Sequence, residues 1–111
     1  MKKLFKCSVC GYVHEGEAAP ANCPKCGATS DKFSELSQEA ADKVYRSDYT
    51  NSLHMELIGL AENIISLCED GIEDDLDPMC VRGFKEALNE AWVIKQRSKA
   101  ELAGHMSRGK W

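Results

Sequence analysis

Two Cys-x-x-Cys pairs give this chain its most specific chemistry. They read Cys7-Ser8-Val9-Cys10-Gly11 and Cys23-Pro24-Lys25-Cys26-Gly27. Each pair spans one short turn, so two turns can present four sulfurs tetrahedrally to a single metal ion. The glycine behind each pair suits a turn that needs positive φ, and such a turn aims backbone N–H groups at the thiolates. A disulfide is the competing use of these cysteines, but x-x spacing repeated with glycine is poor disulfide geometry and good ligand geometry. Cys7, Cys10, Cys23 and Cys26 are therefore the expected metal ligands. Four thiolates leave no open coordination position, so the chemistry on offer is structural support or one-electron transfer rather than substrate activation. Zinc and iron both accept this donor set, and spacing alone does not separate them.

The flanking residues must position those cysteines. Leu4-Phe5-Lys6 reads as a short strand delivering Cys7, and Tyr12-Val13-His14 as a second strand leading away from the first turn. Gly16 to Asn22, with Pro20, is loop, and Phe33 folds back onto a small core. The expectation is a metal-centred knuckle with little regular structure. Thirty-six residues bury little apolar surface, so the metal must supply folding energy there.

Phe5 to Gly16, then Ala19-Pro20, Cys23-Pro24-Lys25-Cys26-Gly27-Ala28 and Asp31-Lys32-Phe33 together resemble rubredoxin. The likeness is greatest to the short rubredoxin module attached to rubrerythrins, and it covers residues 1–36. The resemblance implies one iron ion held by Cys7, Cys10, Cys23 and Cys26 and cycling between ferric and ferrous. It also implies aromatic packing from Phe5, Tyr12 and Phe33. By the same analogy the chain is an electron carrier rather than an enzyme. Such carriers serve a reductase or peroxidase partner in oxygen and peroxide detoxification in anaerobic or microaerophilic bacteria. A structural four-cysteine zinc knob on a helical interaction module is the alternative.

Residues 37–111 have a different composition, rich in Ala, Leu, Ile, Glu and Lys, and form the second expected domain. Ser37 reads as an N-cap, with Glu39 and Asp42 favouring the helix dipole. Val44, Asn51, Ile58, Ile65 and Cys68, with Tyr45, Leu57, Ala61 and Ile64, recur at helical spacing. Ser47-Asp48-Tyr49-Thr50-Asn51-Ser52 is poor in helix formers and predicts a kink or break. Gly71 reads as the helix stop. Asp77-Pro78 is an N-cap followed by proline at the first helical position, so a second helix runs from about Pro78 to Ala103 and ends at Gly104. Its stripe is Cys80, Phe84, Ala87, Leu88, Ala91, Ile94 and Leu102, and His105 to Trp111 reads as an irregular tail.

Two amphipathic helices joined by a short turn make an antiparallel hairpin with one apolar side left over. A homodimer that forms a four-helix bundle, with Ile65 and Leu88 in the seam, is the expected solution; the alternative is that the N-terminal module itself covers the hairpin. A ferritin-like di-iron site would need Glu-x-x-His pairs on facing helices. No glutamate in 37–111 has histidine three residues later. Glu101 and His105 are four apart, astride Gly104 at an expected fraying end. No catalytic residue is assigned.

Other candidates have bland readings that outweigh sharper ones. His54 is expected at an interface or surface rather than as a ligand or proton-transfer group. His14 is expected to face solvent. Cys68 and Cys80 lie at neighbouring helix ends, where core packing outweighs a redox pair. The acidic run from Glu69 to Asp77 lacks calcium-loop order and suits a solvated turn, or a docking patch for a basic redox partner. Trp92 borders the second stripe and suits packing.

Net charge is −4 over 111 residues, and 37–111 carry nine Lys/Arg against fourteen Asp/Glu. No basic, aromatic-studded face speaks for nucleic acid. No apolar run approaches the ~18 residues of a membrane span. The start has no apolar leader, and six cysteines, four at metal spacing, fit a reducing compartment, so the cytoplasm is expected.

Overall fold

The computed structural model describes residues 1–111. The elements in order are β1 (Lys3–Cys7), β2 (Val13–Gly16), a single 3₁₀ turn (Ser30–Lys32), β3 (Phe33–Glu35), α1 (Gln38–Asp74) and α2 (Pro78–Ser107). The chain divides into two compact units, Met1–Tyr45 and Arg46–Trp111.

The first unit has more regular structure than the sequence suggests. Its strands form an antiparallel sheet in the order β2-β1-β3. Phe5 pairs with His14 on one side and Glu35 on the other, and Cys7 pairs with Phe33. Phe33 therefore returns as a third strand rather than as a loose cover. Side chains alternate across a strand, so Phe5 and Cys7 share one face while Leu4 takes the other; all three are buried. Leu4 lines a pocket with Leu36, Ala41 and Tyr45, the last two from the first turns of α1. The Tyr45 hydroxyl donates to the Lys2 carbonyl at 2.8 Å, and the Leu36 N–H donates to Leu4 O at 2.8 Å. Ser37 caps α1 as expected, its Oγ accepting from Ala40 N at 3.2 Å.

In the second unit the rest of α1 and α2 pack as an antiparallel hairpin. The buried residues are Ser47, Asn51, Ala61 and Cys68 on α1, with Ala91, Ser98, Leu102 and His105 on α2. Phe84, Ala87, Leu88 and Ile94 are half-buried on α2, as are His54, Ile58 and Ile65 on α1. Ser47, His54, Ala61 and Cys68 stand seven apart, as do Phe84, Ala91, Ser98 and His105. A seven-residue repeat keeps one seam facing a partner helix.

The helices differ from expectation in one interior stretch and at two ends. First, α1 runs unbroken through Ser47 to Ser52. Ser47 Oγ and Asn51 Nδ2 both donate to the Lys110 carbonyl at 2.7 Å, and Thr50 Oγ1 donates to Ser47 O at 3.0 Å. Tertiary hydrogen bonds thus override weak local propensity. Second, α1 does not stop at Gly71. It ends at Asp74, with Asp75 in the left-handed region at φ 50°, a conformation aspartate tolerates better than most residues. Gly71 instead permits close approach, because a Cβ there would overlap the Phe84 ring. Third, α2 continues past Gly104 to Ser107 and closes in a Schellman turn at Gly109, φ 73°. Lys110 N donates to His105 O at 2.8 Å and Gly109 N to Met106 O at 3.4 Å, the paired bonds of that motif. The start of α2 is as read, with Asp77 Oδ1 accepting from Cys80 N at 2.8 Å ahead of Pro78.

Candidate metal centre

The two cysteine turns are built alike. Cys7 N donates to Tyr12 O and Cys23 N to Ala28 O, both at 2.8 Å. Gly11 N donates to Cys7 O at 3.0 Å and Gly27 N to Cys23 O at 2.9 Å. Gly11 and Gly27 sit at φ 81° and 80°, the left-handed conformation their spacing anticipates. The first turn hangs from the central strand through Cys7. Ser8 N ties it to Lys32 O at 2.9 Å, and an isolated bridge from Asn22 to Thr29 closes the second turn.

This brings the four predicted cysteines together and excludes the other two. The Sγ atoms of Cys7, Cys10, Cys23 and Cys26 all lie within 4.8 Å of one another. Cys7 and Cys26 are 3.7 Å apart and Cys10 and Cys23 are 3.5 Å apart. A tetrahedral thiolate site with bonds of about 2.3 Å has edges of roughly 3.8 Å. The donor set fits one ion. Neither pair is a disulfide; all six cysteines are free thiols.

Backbone amides prepare the sulfurs for negative charge. The Cys10 N–H, with that of Val9, holds the Cys7 thiol below its ordinary range despite burial. Burial opposes ionisation of Cys23, but the N–H groups of Cys26 and Lys25 and the neighbouring thiols bring it to about 6. The same two positions after each first cysteine supply the donors, so both turns are small anion nests. The Ala28 N–H favours the Cys26 thiolate, yet burial and the three other cysteines push it up to about 12. Four sulfurs this close do not all ionise without a cation among them.

Cover over the centre is one-sided. Cys7 and Cys23 are buried, Cys10 is half-buried and Cys26 is exposed. Phe5 is buried, and Tyr12 and Phe33 are half-buried. Val9 is 63% exposed and Pro24 is exposed as well, so neither shields the outer edge. His14 is half-buried on β2 rather than fully in solvent.

The helical unit holds no comparable cluster. His54 Nδ1 lies 3.0 Å from Ser98 Oγ, a half-buried histidine with a partner. His105, which the sequence leaves in a tail, is buried inside α2. Its Nδ1 donates to Asn51 Oδ1 at 2.5 Å, and its Nε2 lies 3.2 Å from Glu101 Oε1. The two rings meet edge to face, 6.3 Å between centroids. The seven-residue step from Phe84 through Ala91 and Ser98 was the signal that places His105 inside. Trp92 is 46% exposed and carries Lys95 Nζ 5.1 Å from its ring centroid, with Lys95 paired to Glu62 at 3.2 Å.

Residues 5–34 match the family model of the rubrerythrin rubredoxin-like domain. Reverse rubrerythrin-1 of Clostridium acetobutylicum is 62% identical over 37 residues, which is 33% of this chain and 20% of that protein. The chain thus spans a small part of the length of that relative. No solved structure matches the chain. The N-terminal module is rubredoxin-like, with four cysteines positioned for metal binding and two helices following it. No helix is long and apolar enough to cross a membrane.

Proposed function

We propose that this chain is a one-electron carrier built on a mononuclear iron centre held by Cys7, Cys10, Cys23 and Cys26. The observation that carries the reading is the closed set of four sulfurs within 4.8 Å on a rubredoxin-like module. Bound there, iron supplies a ferric–ferrous couple. The chain's own residues supply the rest. Amide donors to Cys7 and Cys23 stabilise the thiolates and tune the potential. Phe5, Tyr12 and Phe33 keep water from the inner side. Exposed Cys26 and half-buried Cys10, flanked by Val9 and Lys25, form the edge where a redox partner approaches. A reductase or peroxidase of the cytoplasm is the partner class this reading implies. With every sulfur committed to the ion, the centre itself has no open position for a substrate.

Metal analysis of protein from iron-replete cells tests the assignment. One iron per chain with a sulfur-to-iron charge-transfer colour is expected. A colourless protein with one zinc per chain contradicts the carrier and favours a structural knob.

A further inference from the structure

One face of α1 carries a row of large apolar side chains that this chain leaves uncovered. Leu53, Leu57, Leu60, Ile64 and Leu67 follow at 4-3-4-3 spacing and are 43, 43, 53, 41 and 67% exposed. That spacing is the a/d repeat of a coiled-coil seam. It is a different row from Asn51, Ala61 and Cys68, which are buried in the hairpin. Half-buried Ile65 and Leu88, which the sequence assigned to a dimer seam, are also outside it.

The ends of the row identify its occupant. Leu53, Leu60 and Leu67 stand seven apart, and the same step reaches exposed Arg46 at one end and exposed Asp74 at the other. The ladder Arg-Leu-Leu-Leu-Asp is complementary to its own reverse. Turned about Leu60, it sets Arg46 against Asp74, Leu53 against Leu67 and Leu60 against itself. Parallel pairing would instead stack Asp74 on Asp74, with Asp70 flanking it, and Arg46 on Arg46, where like charges repel. The leucine row makes an apolar patch of a few hundred Å² on each copy, a size that marks interaction sites. From Arg46 to Asp74 the contact would run about 42 Å at 1.5 Å per residue, long enough for the roughly 800 Å² per partner that stable interfaces bury.

We propose that this face binds α1 of a second copy, antiparallel, about a two-fold axis at Leu60. The contact is isologous and closes at two chains. It stands independently of which metal the cysteines hold.

Sedimentation equilibrium of the full, metal-loaded chain tests it. A dimer is expected at roughly 100 μM and below, a range that resolves micromolar dissociation constants. Leu60→Glu places two carboxylates on the axis and should weaken the dimer by about 100-fold or more. Helicity by circular dichroism and metal content should stay unchanged. Leu76→Glu, exposed but beyond α1, should remain dimeric. Arg46→Asp should weaken the dimer a few-fold, and adding Asp74→Arg should restore it, because the antiparallel pair is then merely reversed. A monomeric wild type, or a dimeric Leu60→Glu, overturns the proposal and gives the row to another protein. Failure of the double variant to recover overturns the antiparallel register.

Discussion

At the residue scale, the decisive groups are four thiols that differ in how readily they ionise. Cys23 sits at about 6 and Cys26 at about 12, so the metal-free module at neutral pH keeps at least one proton that the metal-bound form cannot. Metal loading must release protons, and affinity must rise with pH toward the range where Cys26 ionises unaided. Acidification must eject the metal. Loading in weak buffer at pH 7 should acidify the solution by one or more protons per ion; no release would contradict the assigned ligation. Cys26→Ser, or loss of any other of the four, should drop metal content well below one per chain. Cys68→Ser and Cys80→Ser should leave it unchanged, as metal analysis will read. The four-cysteine cluster was legible because spacing and glycine placement are local properties of the chain. Solvent cover was not legible: Val9 and Pro24 are apolar and adjacent to the cysteines in sequence, yet both stand exposed on their turns.

At the element scale, what the sequence concealed is tertiary. Ser47, Thr50 and Asn51 are weak helix formers, yet α1 passes through them because the C-terminal turn returns a carbonyl to two of their side chains. Asn51→Ala removes that bond and strips His105 Nδ1 of its acceptor. A loss of about 1–3 kcal/mol in urea unfolding is expected for buried partners left unpaired. Gly71 reads as a stop by local rules but is a contact by packing. On an open helix surface Gly→Ala gains up to about 1 kcal/mol. Here the new methyl meets Phe84, and overpacking of about 1–3 kcal/mol should reverse the sign. Gly71→Ala should therefore lower hairpin stability, and Phe84→Leu in the same chain should recover part of it. A stabilised Gly71→Ala would show that the helices do not meet there. Asp77-Pro78, by contrast, was legible in full, since a cap and its proline need no distant partner.

At the scale of the whole molecule, the chain joins a metal module with a strong family signature to a hairpin whose pattern is physical rather than familial. The likeness to reverse rubrerythrin-1 ends with the module, and the helices carry no Glu-x-x-His pair. What the helices do carry is the self-complementary leucine row proposed above to pair two chains. A reductive titration of the purified protein under argon, followed by its visible spectrum, tests the one-electron centre most directly. An iron centre of this kind gives a coloured protein that bleaches after one electron per chain and regains its colour in air. A protein that takes up no electron, or whose colour does not return, would contradict it.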